Sequence, residues 1–162
     1  MKTISKISLI LILTSIIYCS AKAQQTTIAK FIITDASKNG TDITPTILNQ
    51  GAFIAFYTSD NDGILYMANV WPKNESQSFG PLYSSKTTSY NETYETYKAD
   101  LFNFKWRYIN DYNTKKGTAN VEMVKIYKPQ GIAFILEIIP ENLDVLVYKG
   151  YMEGSVDFSA FK

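Results

Sequence analysis

The chain is 162 residues long, has a formal charge of +1, and contains no histidine and one cysteine. Without histidine it can build no Ser-His-Asp triad, no Cys-His pair and no histidine metal site. Arg107 is its only arginine, so it lacks the arginine-rich basic face that a nucleic-acid partner would call for.

The N-terminus has the pattern of an export signal. Lys2 and Lys6 form a short basic region, Ser8 to Tyr18 an apolar stretch, and Ala21-Lys22-Ala23 a small-x-small cleavage pattern. The apolar run falls short of the roughly 20 residues that a membrane-spanning helix needs. Residues 1–23 are therefore expected to be a signal peptide and 24–162 a single exported domain, periplasmic or extracellular, with Gln24 at the mature N-terminus. Cys19 raises the alternative of a lipid anchor. Tyr18 is larger than the small residue such signals place before the cysteine, and cleavage after Ala23 fits better. Removing Lys2, Lys6 and Lys22 with the signal shifts the charge from +1 to −2 and leaves no thiol in the mature chain. About 139 residues can bury enough surface to be stable without disulfides.

The mature segment is rich in aromatic residues, with Phe 9, Trp 2 and most of Tyr 12 falling within it. Its apolar runs are short and broken by turn residues, the pattern of an all-β protein. Residues 28–34 read as a first strand, followed by a turn at Ser37-Lys38-Asn39-Gly40. One short helix is expected near residues 45–50, with Thr44 as N-cap, Pro45 in the first turn and Gly51 as the stop. Strands over 53–58 and 64–71 flank an Asp60-Asn61-Asp62-Gly63 turn. This is no EF-hand loop, because Asn69 stands where the closing glutamate belongs. Pro72 ends the second of these strands.

Residues 73–97 are polar and weakly patterned, with short strands expected over 79–83 and 93–98. The spacing of Tyr90, Tyr94 and Tyr97 also suits a helix. Asn74-Glu75-Ser76 and Asn91-Glu92-Thr93 match the glycosylation pattern, which matters only in a eukaryotic secretory host. From Leu101 the alternation is strict. Phe102, Phe104, Trp106 and Tyr108 face one way, and Asn103, Lys105 and Arg107 the other. Strands over 119–128, 132–139 and 143–151 follow, with turns at Lys128-Pro129-Gln130-Gly131 and Pro140-Glu141-Asn142. Alternation puts Glu137 on the solvent side of its strand, and Glu122 and Lys125 on opposite faces of theirs.

About eight strands with hairpin-length links predict an antiparallel meander. It would be a closed or partly closed barrel of lipocalin-like shape, or a two-sheet sandwich. No lipocalin Gly-x-Trp motif opens the first strand, so the likeness is one of shape. Two groups of residues are candidates for ligand binding. One is the alternating face of Phe102, Phe104, Trp106 and Tyr108, which would line a cavity or pack as core. The other is the tyrosine-rich stretch with Tyr83, Tyr90, Tyr94 and Tyr97, suited to polar recognition because tyrosine offers both ring and hydroxyl. No catalytic residue, metal site or cofactor is read from the sequence. The expected function is a non-enzymatic binding or interaction domain whose partner is a small apolar ligand, a glycan or a protein. The alternatives are a small hydrolase built on two carboxylates and a structural component of the cell envelope.

Overall fold

The computed structural model describes residues 25–59, 63–85, 89–141 and 144–160. The expected signal peptide, Cys19, Asp60-Asn61-Asp62 of the first hairpin turn, Asn142 and the Leu143 start of the last strand lie outside them.

Ten strands and one α-helix make up the described residues. In chain order these are β1 (Gln25–Lys38), β2 (Thr41–Asp42), α1 (Thr44–Gln50), β3 (Phe53–Ser59), β4 (Leu65–Trp71), β5 (Ser76–Ser84), β6 (Ser89–Tyr94), β7 (Tyr97–Asn110), β8 (Lys116–Lys128), β9 (Gly131–Pro140) and β10 (Leu146–Gly154). A 3-10 turn at Pro72–Asn74 joins β4 to β5. Eight strands close into an antiparallel barrel in the order β1-β3-β4-β5-β7-β8-β9-β10, with β10 returning to β1. Neighbours in the barrel are neighbours in the chain, apart from the β2 and β6 excursions, so the meander expected from the sequence is the observed topology. Closure selects the barrel over the sandwich.

The seam is β1. Phe31 faces Ile54 of β3 on one side and Met152 of β10 on the other, and Ala29 faces Phe56 and Gly154. To serve both neighbours the strand must bend, and register shifts at Thr27/Ala29 and Ile33/Asp35 provide the bend. This explains why β1 runs to 14 residues, twice the length expected from its apolar run. Gly80 and Gly150 allow close approach elsewhere in the wall. A side chain at Gly80 would meet the Arg107 carbonyl oxygen at 1.9 Å, and one at Gly150 the Ile32 carbonyl oxygen at 1.9 Å.

The helix forms where expected, with Pro45 in its first turn and Gly51 at its end in the left-handed conformation (φ 66°). Thr44 is not its N-cap. Ile43 holds that position without a side-chain cap. The Thr44 hydroxyl instead accepts from the Ala36 amide at 2.9 Å, and Asp42 Oδ1 accepts from the Thr44 amide at 2.8 Å. Tertiary contact with β1 has taken the hydroxyl that would have capped the helix. Ile47 is fully buried in the core beside β1.

The weakly patterned stretch resolves into β5 and β6. They pair successive parts of one long strand. β5 pairs residues Phe104 to Asn110 of β7, and β6 pairs Tyr97 to Leu101. Tyr94 and Tyr97 face each other across the hairpin, with Glu95 at positive φ (55°) in the turn. The helical alternative for this tyrosine spacing is therefore excluded by the strand pairing.

The barrel has two ends. The helix end gathers α1, the 3-10 turn and the β7–β8 and β9–β10 links. The opposite mouth gathers the β6–β7 hairpin, the β8–β9 turn and the segment after β10. Between them the interior is packed. Phe31, Ile54, Met67, Leu82, Phe104, Val121 and Leu136 are all buried in one continuous cluster. Among the described residues, a cleft opens beside this packed cluster at the mouth and a smaller cavity at the helix end.

Candidate functional site

All four rings of the alternating β7 face point inward. Phe102, Phe104 and Trp106 are buried and Tyr108 half-buried, while Arg107 on the other face is exposed. Their environments differ. Phe104 is core. Phe102 borders a cleft of about 740 Å3 at the mouth, whereas Trp106 and Tyr108 border a smaller cavity at the helix end. The stripe that reads as one face in the sequence therefore serves three environments, because β7 runs the full height of the barrel.

The mouth is the larger candidate. Phe102 of β7, Phe134 of β9, Met152 of β10 and Phe158 line its apolar part; Lys125, Asp100 and Asp157 lie among its polar lining. Its volume falls in the range of about 300–1,000 Å3 typical of ligand pockets.

Phe158 comes from the segment after β10, a contribution that sequence reasoning missed. Gly154 lets the chain leave the strand. It sits at φ +85°, where a side chain would meet the Ile28 carbonyl oxygen at 2.4 Å. Asp157 then accepts from the Ser159 amide at 3.0 Å and the Ser159 hydroxyl at 2.5 Å. This local turn frames Phe158 and carries its ring into the mouth. The ring meets Phe56 edge-on at 5.2 Å and lies tilted on Phe102 at 5.5 Å and on Phe104 at 6.0 Å. Phe158 is 4% exposed, while Ser155, Asp157, Ser159 and Ala160 around it are exposed. The segment is thus a polar strap anchored by one ring. The sequence signal is Asp157-Phe158-Ser159, a turn pair around a lone aromatic.

Polar groups ring the mouth. Asp100 Oδ2 accepts from the Tyr127 hydroxyl at 2.6 Å, and Oδ1 from the Asn91 amide at 3.2 Å. The Asp100 hydrogen bond, with some burial, pushes the Tyr127 phenol up to about 12. Hydrogen bonds from Ser159 hold the Asp157 carboxyl below its ordinary value. Lys125 faces the mouth, with its ammonium 5.3 Å from the Tyr127 ring centre.

The tyrosine-rich stretch does not form one surface. Tyr90 joins the mouth, exposed on one side and edge-on to Phe102 at 6.5 Å. Tyr83 is on the outer wall, 5.1 Å from the Arg107 guanidinium. Tyr94 and Tyr97 sit in the β6–β7 hairpin, where the Lys128 ammonium lies 5.4 Å from the Tyr97 ring centre. Tyr83 belongs to a different strand, and the register shift between Ser89 and Glu92, with Asn91 at positive φ (56°), separates Tyr90 from Tyr94, so of the four only Tyr90 lines the mouth. Glu137 is half-buried on the outer wall, opposite Glu122 of β8 and Val147 of β10.

No family model, no curated protein and no solved structure matches this chain.

Proposed function

We propose that this chain is an exported, non-enzymatic binding domain that holds a small, largely apolar molecule in the mouth beside Phe158. One observation carries the reading. In a barrel whose middle is filled, the interior opens at this end into a cleft of about 740 Å3 with an aromatic wall. Packing a domain requires no such volume, since interiors are normally close-packed. The polar rim suits a ligand whose apolar body enters the barrel while a polar group stays at the surface. The chemistry of the rim supports binding over catalysis. Its two acids, Asp100 and Asp157, are engaged by neighbouring donors, and the chain has no histidine to act as base.

The test is titration of the mature protein with cis-parinaric acid, a fluorescent fatty acid with an apolar body and one carboxylate. Saturable, one-to-one enhancement of probe fluorescence is expected. Ile132→Asp should weaken it about tenfold or more by putting charge on an exposed wall residue of the cleft. The absence of saturable binding, or binding unchanged in Ile132→Asp, would overturn the reading.

A further inference from the structure

At the helix end, the barrel interior becomes polar where packing alone would favour apolar side chains. Asn69 of β4, Ser78 of β5 and Asn110 of β7 lie in one register row, Asn69 facing Ser78 and Ser78 facing Asn110. All three line a cavity of about 270 Å3 together with Trp106 and Tyr108. Ile138, Pro140 and Leu146 supply the apolar part of the lining.

The row is held in place by the fold. Asn69 is 8% exposed, and it is the only buried polar residue among those described. Its Oδ1 accepts from Trp71 Nε1 at 3.1 Å, and its Nδ2 donates to the buried Tyr148 hydroxyl at 3.3 Å. The Tyr108 ring packs 4.6 Å from that of Trp106, whose Nε1 donates to the Gly80 carbonyl at 3.2 Å. Gly117 makes room for Tyr108, since a side chain there would come within 2.5 Å of the phenol ring. An aromatic pair with a fixed position therefore stands beside a row of amide and hydroxyl groups.

The rim determines the charge that can enter. Lys38 and Asp144 border the cavity and pair with each other at 2.6 Å. Hydrogen bonds from Lys38 and Asn39 hold the Asp144 carboxyl below its ordinary value. Each rim charge is matched, so neither an anion nor a cation finds an unpaired counter-charge among these lining groups. The cavity lies just below the roughly 300–1,000 Å3 of ordinary ligand pockets, which limits the occupant to a small molecule. Amide and hydroxyl groups suit hydroxyls, and an aromatic face suits the C–H face of a ring.

We propose that this cavity is a second binding site, for a neutral polyhydroxylated ring of monosaccharide size. The site is independent of the mouth and shares no lining residue with it. The ring could be a free sugar or the terminal unit of a glycan chain, and both present the same chemistry.

The chain's two tryptophans, Trp71 and Trp106, both belong to this end, so their indole signals report on this cavity. The experiment records indole N–H resonances and tryptophan emission of the mature protein with D-glucose, D-galactose, D-mannose or N-acetyl-D-glucosamine at millimolar concentrations. Maltotriose serves as the chain-borne form. Saturable shifts with at least one sugar are expected. A response to maltotriose as well identifies a glycan end, and a response to monosaccharides alone a free sugar. Ser78→Val and Asn110→Leu should each weaken the response about tenfold, the equivalent of one strong hydrogen bond. Ile132→Asp at the mouth should leave it unchanged. Gly117→Ala, which displaces Tyr108, is a second route to loss and keeps the polar row intact. Failure of all five sugars to shift either indole would overturn the proposal. So would shifts that persist undiminished in Ser78→Val, Asn110→Leu and Gly117→Ala, with folding confirmed by circular dichroism. Loss of cis-parinaric acid binding would leave this result untouched, so the two readings fail separately.

Discussion

The ring of Phe158 meets that of Phe56 edge-on, with centroids 5.2 Å apart and planes at 80°. One residue lies in the strap that follows the last strand and the other in β3, on the far side of the seam formed by β1 and β10. This contact therefore ties the strap to β3 across the seam. Phe158→Ala should destabilise the protein by about 3–5 kcal/mol, because the ring belongs to the buried core cluster. Urea denaturation followed by tyrosine and tryptophan fluorescence measures it. A loss below about 1 kcal/mol would mean that the strap is only loosely seated.

Trp106 and Lys105 are adjacent in sequence and opposite in environment. Trp106 is 3% exposed and donates to the Gly80 carbonyl. Lys105 reaches Glu141 at 2.8 Å in a largely solvent-exposed pair. Trp106→Ala should cost about 3–5 kcal/mol and Lys105→Ala no more than about 1 kcal/mol, the usual worth of an exposed ion pair. The same denaturation experiment decides it, and comparable losses for the two would contradict the register of β7.

Asn69 and Tyr148 form a buried pair across the barrel, 79 positions apart in the chain. Tyr148→Phe leaves the Asn69 amide short of a partner. Asn69→Leu leaves the buried phenol and the Trp71 indole N–H short of theirs. Each should cost about 1–3 kcal/mol, the desolvation penalty of an unpaired polar group. The double variant should lose less than the sum, because it removes both partners together. Strict additivity would show that the two groups do not interact.

With no histidine, nothing in the side-chain inventory titrates between about pH 5 and 8. The melting temperature should be nearly flat across that window. Below it, the depressed carboxyls of Asp42, Glu141, Asp144 and Asp157 come into play. A depressed folded value contributes stability that is present above the unfolded value, about 4, and lost as pH falls through the folded one. Above the window, Tyr127 and Tyr148 have raised values, caused first by the Asp100 hydrogen bond in Tyr127 and by burial in Tyr148. Their contribution is present below the unfolded value, about 10, and is lost as pH rises beyond it. Absorbance at the phenolate band should show Tyr127 ionising near 12, and in Tyr127→Phe the late component should shrink by one tyrosine while the raised Tyr148 remains in it. A melting curve that drops between pH 6 and 8 would contradict this account.

The export reading makes a chemical prediction. Secretion from a bacterial host should yield a mature protein beginning at Gln24, which N-terminal sequencing would identify. Reductant should not alter its melting temperature, since Cys19 leaves with the signal. A lipid-modified Cys19 at the terminus would replace the free domain with an anchored one.

What the sequence determined by itself were the properties that depend on neighbours along the chain. Period-two alternation put Phe102, Phe104, Trp106 and Tyr108 on the inner face and Lys105 and Arg107 on the outer one, because successive side chains of a strand must point to opposite sides. Pro45 and Gly51 bounded the helix over Thr44–Gln50, because proline fixes its own φ near the helical value and glycine readily takes the left-handed φ that stops a helix. What only the tertiary structure decided depends on residues far apart in the chain. Alternation states which side a residue takes but not its height in the barrel, so one aromatic stripe is divided among mouth, core and helix-end cavity. The row of Asn69, Ser78 and Asn110 exists only once β4, β5 and β7 are in register. Phe158 had no strand pattern to mark it, and its place was fixed by an aromatic pocket assembled from β3 and β7. Closure itself rests on β1 pairing with both β3 and β10, a choice made by packing free energy across the whole domain rather than by any local preference.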